Sequence, residues 1–143
     1  MISKNIAQLL SIASEQLNPN GVWRPPSLEK ARVSEALLSE WMEMLSRLNG
    51  FYCFESALHV FPDTSFRSSL GVEDWNRDAL WRNEYDGLDP NGVFVSEDAF
   101  GNQFFLLDAS VNRFDAETGE VEVFSSNVDG WAAKILQDFN LHT

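Results

Sequence analysis

Apolar positions recur at intervals of three and four along the first third of the chain. Ile2, Ile6, Leu9, Leu10, Ala13 and Leu17 form one such stripe, which predicts an amphipathic helix. The run Asn18-Pro19-Asn20-Gly21 ends it. Trp23 is the expected anchor of the following loop, and Ser27, after Pro25 and Pro26, is the expected cap of a second helix. That helix carries Val33, Leu37, Trp41, Met44, Leu45 and Leu48 and stops at Asn49-Gly50.

From residue 51 the pattern changes. FYCF and ALHVF are aromatic and β-branched and read as two strands or one bent strand, followed by a polar loop from Pro62 to Gly71. Trp75, Ala79, Leu80 and Trp81 then fit a short helix with Glu73 and Asp74 at its start, where a helix favours anions. DGLDPNG is a loop, GVFVSED and QFFLL flank the turn AFGN, and VNRFD and EVEVF flank Ala116-Glu117-Thr118-Gly119. QFFLL is apolar on both faces, which predicts a central strand. In EVEVF, Val121 and Val123 alternate with Glu120 and Glu122, which predicts one wet face. Ser126 and Asp129 fit a capping box. Behind them Val128, Trp131, Ala132, Ile135, Leu136 and Phe139 make the cleanest helical stripe in the chain, with Gly130 inside it pointing to a close helix–sheet approach. The expected fold is α+β, one domain over residues 1–143. Its sheet is antiparallel-rich and mixed, with about 4–6 strands, and is covered by N-terminal helices and a C-terminal helix.

Composition adds a sign. The net charge is -12. Residues 1–50 hold five basic and five acidic side chains, so residues 51–143 carry all of it. Such a field repels nucleic acid and anionic membrane and attracts basic partners. A single cysteine, Cys53, allows no intrachain disulfide and fits a reducing compartment. The first residues lack a signal-peptide core, and no stretch approaches the ~20 apolar residues of a membrane span. A cytoplasmic protein is expected.

The residues that carry chemistry are sparse. His59 lies in an apolar strand and reads as a core or edge histidine, and His142 is penultimate. On an unbroken strand Cys53 and His59 share a face but stand about 20 Å apart. No serine elbow, zinc spacing or phosphate loop occurs. The stretch from Asp86 to Gly92 superficially resembles a calcium loop, but Pro90 stands where a ligand should be. No metal or cofactor is expected. The carboxylates are the distinctive feature: Glu97, Asp98, Asp115, Glu117, Glu120 and Glu122, with Asn102, cluster at hairpin ends beside aromatic residues. Glu97 and Asp98 are adjacent on a strand and so point to opposite faces. Asp98 and Asn102, around Gly101, are expected to shape the turn, which leaves Glu97 as the residue most free to serve a partner.

The strings NGFYCFESALHVFP, SEDAFGNQFFL and FDAETGEVEVFSSNVDGWAAKIL, with the W-N…L-W-R…Y segment between the first two, resemble the SUKH superfamily over roughly residues 40–140. These are bacterial relatives of the Smi/Knr cell-wall regulators. The most specific positions are Asn49 and Gly50, the turn from Glu97 through Asp98 to Gly101 and Asn102, and Trp131. Arg24-Pro25-Pro26-Ser27-Leu28 departs from the leucine-proline usual there, so the resemblance is weakest in the N-terminal third. It implies a sheet wrapped by helices, with Gly50, Gly101, Trp75, Trp81 and Trp131 as structural residues. It also implies a non-enzymatic immunity protein that binds a cognate toxin, often a nuclease and hence basic. A housekeeping scaffold or regulator of the same fold is the second class it leaves open, and monomer and homodimer are both compatible with it.

Overall fold

The computed structural model describes residues 2–22, 24–29, 31–77 and 91–140. Trp23, Trp81 and His142 lie outside them, as does the predicted helix beyond Arg77 and the loop up to Pro90. The elements are α1 (Lys4–Ser11), α2 (Pro26–Glu29), α3 (Glu35–Arg47), β1 (Phe51–Cys53), β2 (Leu58–Val60), α4 (Val72–Trp75), β3 (Val93–Asp98), β4 (Asn102–Leu107), β5 (Ser110–Asp115), β6 (Val121–Ser125) and α5 (Val128–Asn140). The fold is α+β. Its six strands follow chain order, β1-β2-β3-β4-β5-β6, and every neighbouring pair is antiparallel. The sheet is therefore a meander, not mixed; the parallel bridge Val33–Asp108 lies outside the strands.

The helices and one face of the sheet enclose the main core. Trp41 of α3 and Trp131 of α5, both fully buried, meet edge-to-face at 5.0 Å, and Phe104 of β4 lies 6.1 Å from Trp131. The opposite face carries a second cluster, Phe94, Phe105 and Phe114, against which Trp75 packs. Trp75 donates its indole N–H to Gln103 Oε1 at 3.0 Å, and the Asn76 amide exchanges hydrogen bonds with both backbone groups of Phe94. The expected central strand is thus found: Phe104 and Leu106 serve one core and Phe105 the other.

Several local expectations are corrected by long-range contacts. The first apolar stripe predicted helix to Leu17, but α1 stops at Ser11. The chain beyond it runs beside β1, with Ser14 N–H donating to Tyr52 O and Leu17 N–H to Gly50 O. The cap of the second long helix is Ser34, whose Oγ accepts from Leu37 N–H, and Pro26–Glu29 is a separate turn of helix. Asn127, not Ser126, caps α5: its Oδ1 accepts from Gly130 N–H at 2.6 Å. A Cβ on Gly130 would stand 2.5 Å from Ser125 Oγ, so the close approach is to the end of β6.

Asp129 has a different role from the predicted capping box. Its carboxylate accepts from the Asn5 and Ile6 backbone N–H groups and from Asn5 Nδ2. These are orphan donors in the first turn of α1, whose own Ser3 side chain makes no cap bond. One helix therefore caps another. Partial burial works to raise the Asp129 carboxyl, but hydrogen bonds from Asn5, Ser3 and Ile6 outweigh it and hold it below its usual 3.8.

A buried polar pair joins α3 to the loop after β2. Asn49 donates Nδ2–H to Asp63 Oδ1 at 2.8 Å and accepts Asp63 N–H at 2.9 Å. Both residues are 1% exposed. Gly50 follows at φ +81°, and a Cβ there would stand 2.6 Å from Pro62 N.

These contacts carry three predictions. Asn49→Ala removes a donor to the buried Asp63 carboxylate, which Thr64 N–H still contacts, and the acceptor for Asp63 N–H, and is expected to cost about 2 kcal/mol in urea unfolding. Gly50→Ala is expected to cost about as much, from its left-handed backbone and the clash together, whereas Gly21→Ala, with open space around it, is expected to change stability by less than about 0.5 kcal/mol. Asp129→Ala is expected to cost about 1 kcal/mol near neutral pH. Because the folded carboxyl titrates below its unfolded value, that difference is present above pH 3.8 and shrinks as the pH falls below it. A pH-independent difference between the wild type and the variant would contradict the assignment.

Candidate functional site

A six-stranded meander places alternate turns at the same end. The β1–β2, β3–β4 and β5–β6 turns therefore lie side by side. Ala99 N–H donates to Ala57 O at 2.8 Å, joining the first to the second, and Ala116 N–H donates to Gly101 O at 3.4 Å, joining the second to the third. This end collects most of the carboxylates singled out from the sequence.

Their roles divide by hydrogen bonding. Asp98 Oδ1 accepts from Phe100 and Asn102 N–H, and its Oδ2 accepts from Asn102 Nδ2. Asp98 and Asn102 therefore build the turn, with Gly101 at φ +88°. Asp115 builds the next one, with Oδ1 accepting from Glu117 and Thr118 N–H. Glu122 is taken by Arg113 across the β5–β6 pair. Glu97 is not the free residue it was expected to be. It projects to the opposite face, 3.3 Å from His59 Nδ1, and its side chain is 33% exposed. At this end, Glu117, Glu120, Glu55 on the β1–β2 turn and Asp138 on α5 are exposed carboxylates that make no hydrogen bond or ion pair among the described residues.

Cys53 and His59 belong to a hairpin, not an unbroken strand. Cys53 pairs with Leu58 and His59 with Tyr52, so the two side chains lie on opposite faces. Cys53 contacts the helices, its thiol 3.8 Å from Leu9 O, and burial pushes that thiol up to about 12. His59 stacks on Tyr52 with ring centroids 4.4 Å apart. A nucleophile–base pair is ruled out by this placement. Among the described residues no group of three or more His, Cys, Asp or Glu could hold a metal ion. No helix among them is long and apolar enough to cross a membrane.

Beside the turns a cavity of about 660 Å³ opens between the sheet and the C-terminal half of α5. Phe54, Phe100, Phe104, Phe124 and Phe139 supply aromatic wall, while Glu55, Asp98 and Asp138 supply carboxylates. Arg113 and Lys134 sit over the Phe124 ring, at 5.6 and 5.1 Å. Phe54, Glu55 and Ser56 all have positive φ, at 55°, 53° and 72°. Three successive left-handed non-glycine residues are costly, and this turn sets Phe54 against Phe139 at 4.8 Å. Sequence reasoning passed over Glu55, Phe100 and Asp138. Phe100, 75% exposed at the tip of its turn, had a readable signal, a large aromatic between Ala99 and Gly101. Asp138 had none, because only the packing of α5 brings it here.

On β6 the predicted dry face is absent. Val121 is 49% and Val123 69% exposed, so over residues 121–123 this strand is wet on both sides, while Phe124 beyond them is buried. Among the described residues the sheet ends at β6, and no further layer covers Val121 and Val123.

The described fold thus defines an α+β domain that gathers three turns, exposed carboxylates and an aromatic cavity at one end of a meander sheet. No family model, curated protein or solved structure matches the chain.

The division of roles has a measurable consequence. Asp98→Ala is expected to lower stability by about 1–2 kcal/mol, since it unties three donors. Glu117→Lys with Glu120→Lys is expected to leave stability within about 0.5 kcal/mol of wild type. Thermal unfolding of the two variants side by side checks both.

Proposed function

We propose that this chain is a non-enzymatic protein-binding module, an immunity protein that neutralises a cognate bacterial toxin of basic charge. The class is the one its resemblance to the SUKH superfamily implies. The supporting observation is the set of exposed carboxylates without structural duty, Glu55, Glu117 and Glu120, beside the exposed Phe100. Carboxylates that neither cap a turn nor pair with a cation hold the negative field outward at no cost to the fold. A partner domain that handles nucleic acid carries the opposite sign. Electrostatic steering of this kind acts chiefly on the rate of encounter, while an apolar anchor such as Phe100 slows dissociation.

The partner is sought by pull-down from the source cells with a salt-step elution. Against the recovered basic partner, Glu117→Lys with Glu120→Lys is expected to slow association by about tenfold at low ionic strength, with the difference narrowing as salt screens it. Unchanged association and affinity would overturn the acidic interface. Recovery of no basic partner would favour a scaffold or regulator of the same fold.

A further inference from the structure

We infer that β6 is a docking edge for an extended segment of a partner protein in which apolar and basic residues alternate. The inference rests on the binding-module reading above and specifies how the partner is held.

The two edges of the sheet differ. β1 is covered by its own chain: Ser14 N–H donates to Tyr52 O at 2.8 Å, Tyr52 N–H to Ser14 Oγ at 3.0 Å, and Leu17 N–H to Gly50 O at 2.9 Å. Among the described residues β6 has no such cover. Lys134 Nζ closes only its distal part, by donating to Phe124 O. Upstream, the hydrogen bond from Asp115 N–H to Glu120 O sets the phase of the ladder. Antiparallel alternation then turns the backbone of Glu120 and Glu122 toward β5 and that of Val121 and Val123 outward. Among the described residues nothing else bonds to the backbone of Val121 or Val123. An exposed strand of β-branched residues with outward N–H and C=O groups is a template for strand addition.

The side chains choose the occupant. Val121 lies opposite Phe114 and Val123 opposite Asn112 on one face, while Glu122 lies opposite Arg113 on the other. Glu120 shares the Glu122 face and has no cation of its own among the described residues. An incoming strand therefore meets apolar side chains on one face and carboxylates on the other, which an apolar–basic alternation matches. A second copy of this chain matches less well: antiparallel β6–β6 pairing centred on Val121 would set Glu120 against Glu122 of the other copy, and like charges across a strand pair are destabilising. The charge of -12 adds to that repulsion and to the attraction of a basic strand.

The test uses the full chain, isotope-labelled for amide NMR, with the acetylated and amidated peptide Thr-Val-Lys-Val-Lys-Val-Thr as probe. Saturable binding is expected, with amide exchange at Val121 and Val123 slowed by about tenfold or more. A peptide with glutamate in place of lysine is expected not to bind. A peptide N-methylated at the amides that would pair with β6 is also expected not to bind, and it needs no protein variant. Val123→Pro removes one outward N–H from the edge, and is used only if its circular dichroism matches wild type. If the lysine peptide binds but its N-methylated form binds equally, or the β6 amides are not protected, strand addition is overturned while the acidic interface stands. If the lysine peptide does not bind up to millimolar concentration, the docking edge is overturned, and the charge-reversal kinetics above decide the binding-module reading separately.

Discussion

The reciprocal hydrogen bonds between Asn49 and Asp63 are the constraint on which much of the remaining architecture depends. They lie where α3 gives way to β1, at residues 1% exposed, so neither side chain has water to fall back on. Asn49 O also accepts Asn18 N–H, and Asn18 Nδ2 donates to Thr64 O. Three segments distant in sequence thus meet at one buried polar knot. Gly50 lets the chain turn there against Pro62. The knot also holds residues 14–18 along β1, which closes that edge of the sheet.

Closure of one edge gives the fold its asymmetry. The helices α1, α3 and α5 cover one face and the Phe94–Phe105–Phe114 cluster lies on the other, so the middle strands are buried on both sides. Burial declines toward β6, where Val121 and Val123 stand in solvent. The meander order sends three turns to one end, and Glu55, Asp98, Asp115, Glu117 and Glu120 gather there. A rigid sheet thereby presents its variable chemistry on turns and on one open strand, the usual division between scaffold and binding surface.

The carboxylates show why charge and function are not the same thing. Asp98, Asp115 and Asp129 are consumed by backbone amides, and Glu122 by Arg113. Removing any of these damages structure before it reports on a partner. Glu55, Glu117 and Glu120 are free of such duties, and an interface built on them can vary without cost to the fold. The strained turn of Phe54, Glu55 and Ser56 lies beside this surface.

Local periodicity determined the long helices and the pairing of hairpins. The stripes of α3 and α5 and the two-sided apolar run of β4 were legible because side-chain spacing alone sets which face is buried. The turn roles of Asp98 and Asn102 were legible for a similar reason, since those bonds span four residues or fewer. What the sequence could not reveal depended on partners far along the chain. Asp129 looked like a cap for its own helix and serves α1, 124 residues away. Glu97 looked free and meets His59 because β2 and β3 pair. Val121 and Val123 looked like a buried face and are exposed because the sheet ends there. A strand's alternation states that its faces differ; only the order of strands and the layers packed on them decides which face, if either, is dry.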